Sequence, residues 1–172
     1  KEALLHPSLD KEIKENILTE VETLRSKGHT VTEIDFDLLD YVVPAYYVLT
    51  TAEASSNLSR YDGIRYGHQT KGNIKDLTEF YKLTRTEGFG KEVQRRIMLG
   101  TFVLSSGYYD AYFSKAQQVR RMLTDKTKAI FADFDAVIMP VSPTTAFSIG
   151  DKTSDPVAMY LADIFTVFAN LT

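Results

Sequence analysis

The sequence predicts a helix-rich α/β protein whose sheet is incomplete within the 172 residues. Two patterns carry that expectation. Apolar residues recur every three or four positions over most of the chain, which is the period of an amphipathic helix. Two short segments, Val31–Phe36 and Phe134–Met139, instead read as strands, the first of imperfect alternation and the second a compact apolar run. They lie too far apart in sequence to make a complete sheet together. The composition supports a real core, with 44% hydrophobic residues against 25% charged.

Taken in order, Pro7 and Ser8 introduce a helix through Ile13, Ile17, Val21 and Leu24, with Ser8 as its N-cap and Lys27-Gly28 as its stop. A helical region from Asp37 towards Ser59 contains Pro44, which predicts a break and a new start there. Residues 61–73 carry three glycines and read as a loop. Asp76 caps a helix that ends at Gly88-Phe89-Gly90. Two long helices follow, over about 91–105 and 108–133, separated only by Ser106-Gly107. Pro140 ends the second strand, and Asp155-Pro156 starts a last helix with proline at its first position. The closing stretch from Asp163 to Asn170 is apolar enough for an interior, so the chain is read as a portion of a larger fold.

Several function classes fall away. With no cysteine there is no disulfide framework, thiolate nucleophile or cysteine zinc site. Twenty Lys+Arg against 23 Asp+Glu give a net charge of -3, and no basic stripe for autonomous nucleic-acid binding is evident. No apolar run approaches the roughly 18 residues of a membrane span. The opening Lys1 to His6 lacks a signal-peptide layout. The expectation is a soluble, cytoplasmic protein.

Most motifs of catalysis are missing as well. His6, His29 and His68 do not have metal-ligand spacing, and no metal site is expected. Gly88-Phe89-Gly90 begins a phosphate-loop pattern, but Val93 occupies the third glycine position. Ser55-Ser56 and Ser105-Ser106 lack an obvious base and suit helix termini or packing. Arg96 stands out because it shares a helical stripe with Val93, Gly100 and Val103, where a charge needs a partner. A structural ion pair with an acid on a neighbouring helix is the alternative use. Asp163, among Ala162, Ile164 and Phe165, is an acid in an apolar setting or a helix cap. Tyr46-Tyr47 and Tyr108-Tyr109 read as amphipathic core residues with wet hydroxyls.

Longer blocks are more specific. Ala52 to Gly67, Glu87 to Gly90, Arg95 to Thr101, Leu104 to Tyr112, Met139 to Thr144 and Asp163 to Leu171 occur in one order and span essentially the whole chain. In them the sequence resembles the amidase-signature family, and within it the A subunits of glutamyl-tRNA(Gln) amidotransferases. The resemblance implies part of a single α/β/α domain over residues 1–172, built on a large mixed sheet. It implies glutamine hydrolysis by a serine activated through a second serine and a lysine. Those three residues belong to a serine- and glycine-rich region with no counterpart here, so no catalytic residue is expected in this chain and the chain alone is expected to be inactive. What the resemblance does place here is glutamine recognition: Arg96 for the α-carboxylate, Asp163 for the α-ammonium, and Tyr47, with Tyr46 as the alternative, lining the pocket. Ammonia would pass to a B subunit holding ATP and Mg2+, which converts Glu-tRNA(Gln) to Gln-tRNA(Gln), and a small C subunit would bridge the two.

Phe168 stands where the family usually has proline and Thr172 where alanine is usual, which puts the backbone beside Asp163 in question. Rival readings are a stand-alone amidase-signature hydrolase and a helical binding module without chemistry. An incomplete sheet also predicts exposed apolar surface where the rest of the fold would pack.

Overall fold

The computed structural model describes residues 1–151 and 156–172. The chain forms two compact units, one of Lys1–Tyr46 with Gln118–Thr172 and the other of Tyr47–Gln117. The division falls within two helices, α3 (Val42–Leu58) and α6 (Lys115–Asp133).

In the first unit, α1 (Glu2–Leu5) precedes α2 (Lys11–Ser26). The N-cap of α2 is Asp10 rather than Ser8, because the helix begins only at Lys11; the Ser8 hydroxyl instead lies 2.6 Å from His6 Nδ1. The stop falls where the sequence places it: Gly28 adopts φ +90°, a left-handed conformation costly for any residue with a Cβ. A 3₁₀ turn, Leu39–Tyr41, leads into α3. The new start expected near Pro44 is found at Val42; Pro44 lies in the first turn of α3, where its missing N–H has no intrahelical partner to lose, and the helix runs on through it. The unit is completed by the later part of α6, by α7 (Pro156–Leu161) and by α8 (Ile164–Leu171). The proline start of α7 stands, whereas Asp155 lies outside the described residues. Leu39, Val42, Leu123, Ile164, Phe165, Val167 and Leu171 are buried here. Phe168 continues α8 without interruption, and its ring meets Phe36 edge-on at 4.9 Å between centroids.

The two expected strands are corrected by the structure. No strand occurs among the described residues, and both Val31–Phe36 and Phe134–Met139 are irregular. The physical reason is the absence of ladder partners. In the first segment, the Phe36 N–H donates to Glu2 Oε2 at 2.6 Å and Arg25 Nη2 donates to the Val31 carbonyl at 3.1 Å. Side chains thus occupy positions that a neighbouring strand would take. The Phe36 N–H also holds the Glu2 carboxyl below its ordinary pKa. The helix-rich half of the α/β expectation therefore stands and the strand half does not. Val137, Ile138 and Val141, in and just after the second of these segments, are exposed.

The second unit holds the later part of α3, then α4 (Leu77–Gly88), α5 (Lys91–Val103), a π-helical turn at Asp110–Ser114, and the start of α6. Asp76 caps α4 as its sequence suggests, accepting from the Glu79 N–H at 2.8 Å, while Glu79 accepts from the Lys75 N–H at 2.8 Å. The loop over residues 61–73 is pinned to α4 by polar contacts. Glu87 receives the Thr70 hydroxyl at 2.8 Å and pairs with His68 Nε2 at 2.8 Å, and the Thr70 N–H donates to Thr84 Oγ1 at 3.2 Å. Arg85 Nη1 reaches the carbonyls of Leu58 and Tyr61 at 2.9 and 3.0 Å, joining the end of α3 to α4.

His68 first, and Thr70 second, hold the Glu87 carboxyl below its ordinary value of 4.5. A depressed folded pKa places this stabilising contribution above the unfolded value, and it is lost as pH falls through the folded one. Glu87→Gln is expected to raise hydrogen exchange several-fold at residues 68–72 while leaving the centre of α4 unchanged. Wild-type protection at the same amides should fall on acidification below 4.5; a loop insensitive to both changes would show that the Glu87 contacts do not hold it.

Candidate functional site

The sequence places Arg96 on an apolar stripe, and the structure agrees: Gly100 and Val103 on that stripe are buried and Arg96 is only 31% exposed at its side chain. One ion-pair partner comes from its own helix. Glu92 Oε1 accepts from Arg96 Nε at 3.0 Å, and Glu92 Oε2 accepts from Arg95 Nη1 at 2.5 Å. These are the i, i+4 and i, i+3 spacings at which side chains meet on a helix surface. The Arg96 guanidinium lies over the Tyr47 ring, 5.5 Å from its centroid, within cation–π range.

Arg96 and Tyr47 are thus brought together within one unit, from α5 and α3. Tyr46 and Tyr47 are both half-buried, and the ring beneath the guanidinium is that of Tyr47. Asp163 belongs to the other unit, at the N-cap of α8. It is exposed, and its carboxylate makes no capping bond, although its carbonyl accepts from the Val167 N–H at 2.9 Å and from Thr166 Oγ1 at 3.0 Å. The apolar surroundings expected for Asp163 are therefore those of its neighbours: Ile164 and Phe165 are buried while Asp163 faces out.

Cavity size does not locate these residues. The larger of two grooves in the first unit, about 790 Å³, is lined by Ile17, Val21, Val31, Ile34 and Val137 among others, and neither groove is lined by Arg96, Tyr47 or Asp163. Tight packing is a better guide. At Gly100, α5 meets α3 so closely that a Cβ would stand 1.9 Å from the Thr51 carbonyl oxygen and 2.7 Å from Ser55 Cβ. Glu92 and Thr51 are the two neighbours that sequence reasoning missed. The i, i+4 spacing of Glu92 to Arg96 was available to it; the meeting of Thr51 with Gly100 left no mark in the residue pattern.

Comparison with known proteins bears on the whole chain. A sequence model described as Amidase matches residues 2–172. The chain belongs to the amidase family. Among its relatives, the A subunit of glutamyl-tRNA(Gln) amidotransferase from Clostridium botulinum (strain Kyoto / Type A2) is 51% identical over 159 residues, covering 92% of this chain and 33% of the relative. The protein of the same name from Thermoanaerobacter pseudethanolicus is 50% identical, covering 95% and 33%, and that from Brevibacillus brevis is 50% identical, covering 98% and 34%. The chain spans about a third of the length of these amidase-family relatives. Among the described residues, no helix is long and apolar enough to cross a membrane.

The shared carboxylate makes a local prediction. A double-mutant cycle between Glu92→Gln and Arg96→Gln, read by urea denaturation, should give a coupling of about 0.3–0.5 kcal/mol, the range for partly exposed helix pairs. A coupling near zero would show that the Glu92 contact does not hold Arg96 in place.

Proposed function

We propose that this chain is the later portion of a single amidase-signature domain, in the glutamine-hydrolysing subunit of a tRNA-dependent amidotransferase. Its part is glutamine recognition, through Arg96, Tyr47 and Asp163, and not the Ser-Ser-Lys chemistry. The observation that carries the reading is the Arg96 guanidinium held between Glu92 and the Tyr47 ring. A guanidinium restrained on one edge and packed on one face is preorganised, so gripping a carboxylate costs less side-chain entropy. Asp163 supports the reading by its chemistry: an exposed carboxylate on a hydrogen-bonded backbone suits an α-ammonium. A site that uses both charges selects an amino acid over a plain amide, because the plain amide leaves the charged groups without their counterparts.

In the whole enzyme, released ammonia would serve conversion of Glu-tRNA(Gln) to Gln-tRNA(Gln). ATP and Mg2+ would be held by a B subunit, with a C subunit as further partner. The assembly is proposed to work in the cytoplasm. The names of the relatives support this assignment.

The test is made in the full-length protein within its complex. Arg96→Ala should lower kcat/KM for glutamine by about 10- to 100-fold, the worth of a charge-assisted hydrogen bond, and leave turnover of a neutral aliphatic amide nearly unchanged. Equal losses on both substrates would favour a stand-alone amide hydrolase instead. The chain by itself should release no ammonia from glutamine; measurable turnover would overturn the statement that the nucleophile lies elsewhere.

A further inference from the structure

We propose that the contact between Gly100 and Thr51 is the positioning element of the glutamine-recognition pair: it sets the distance between α5 and α3 at which Arg96 lies over Tyr47. This rests on the reading of Arg96 and Tyr47 given above.

Four observations within the second unit support it. Gly100 is buried in the interior of α5, where glycine is a poor helix former, about 1 kcal/mol worse than alanine. A packing reason for keeping it is present: an added Cβ would lie 1.9 Å from Thr51 O and 2.6 Å from Thr51 C, both backbone atoms that cannot rotate away. Thr51 is fully buried, and its hydroxyl donates to the Tyr47 carbonyl at 2.6 Å, so the contact point on α3 is tied to the turn that carries Tyr47. Arg96 precedes Gly100 by four residues and Tyr47 precedes Thr51 by four, so each member of the pair stands one helical turn from the contact, on the same face as its contact residue.

The geometry makes the coupling steep. Any side chain at position 100 requires the gap to open from 1.9 Å to at least 3.0 Å, the shortest separation that real Cβ atoms show. The same shift would carry Arg96 away from the Tyr47 ring. Recognition groups misplaced by about 1 Å can cost on the order of 100-fold in rate. Gly100 and Thr51 are positioning residues and need not touch glutamine.

The experiment compares Gly100→Ala, Arg96→Ala and the double variant in the full-length enzyme complex, with kcat and KM measured separately for glutamine and for a neutral amide. Gly100→Ala should raise KM for glutamine at least about tenfold, with a smaller change in kcat and in neutral-amide turnover. The double variant should be no worse on glutamine than Arg96→Ala alone, because both changes remove one interaction. An unchanged KM in Gly100→Ala beside an impaired Arg96→Ala would overturn the positioning role, as would losses that multiply in the double variant. An unchanged KM in Arg96→Ala would overturn the recognition reading and this proposal with it. If Gly100→Ala does not fold, Ser55→Val adds bulk on the α3 side of the same contact, where Ser55 Cβ lies 2.7 Å from the position of the Cβ that Gly100 lacks. A raised glutamine KM there supports the proposal and an unchanged one overturns it.

Discussion

A carbonyl oxygen pressed against a glycine fixes the second unit. Thr51 O lies 1.9 Å from where a Cβ on Gly100 would be, so α3 and α5 approach too closely for a side chain at position 100. Around that contact the unit is tied polar group to polar group. Arg85 reaches back to the end of α3 through two carbonyls, and Glu87 gathers His68 and Thr70 from the loop. Each such bond is modest in isolation, because folding exchanges it for one to water. Together they leave α3, α4 and the loop between them little freedom to slide. Tyr47 and Arg96 inherit their positions from this frame.

The first unit meets a different constraint. Residues 31–36 carry backbone donors and acceptors that regular structure would pair, and no ladder is formed. Glu2 and Arg25 supply substitutes from α1 and α2. Packing follows the same route: Lys126 pairs with Asp37 and lies 5.3 Å from the centroid of Phe36, whose ring meets Phe168. A residue at 168 with no ring would lose that edge-to-face contact, which gives the aromatic side chain a physical use at a position where the family resemblance leads one to expect proline.

Helices were legible in the sequence for reasons internal to each. The Asp76 cap and the Gly28 stop depend on residues within a few positions, and both occur as read. The strands failed because a strand is defined by a partner, and apolar alternation in Val31–Phe36 is silent on whether one is present. Pro44 shows a related limit: proline breaks a helix interior yet starts one comfortably, and only the register of α3 decides between them. At the candidate site, the stripe through Arg96, Gly100 and Val103 was readable, and burial follows it. The meeting of Arg96 with Tyr47 was not, because it joins two helices separated by a long loop and a further helix. Asp163 misled in the opposite sense, since apolar neighbours in sequence point inwards while the acid points out.

The charge arrangement on α5 bears directly on what can bind there. Arg95 and Arg96 share one carboxylate, that of Glu92, so the three side chains together carry a single positive charge. The Glu92 carboxylate absorbs part of the repulsion between the adjacent guanidiniums. Solvent screening keeps the Arg95 pair weak, because Arg95 is 63% exposed, whereas Arg96 is half as exposed and backed by a ring. Of the two arginines, Arg96 therefore offers an incoming carboxylate the stronger field and the more restrained geometry. That difference, and not the doublet as such, is what would turn a surface cation into a recognition group. It also explains why the separation of α3 from α5 matters more than the number of charges: a shift at Gly100 would leave the charge of the cluster intact and remove the feature that distinguishes Arg96 from its neighbour.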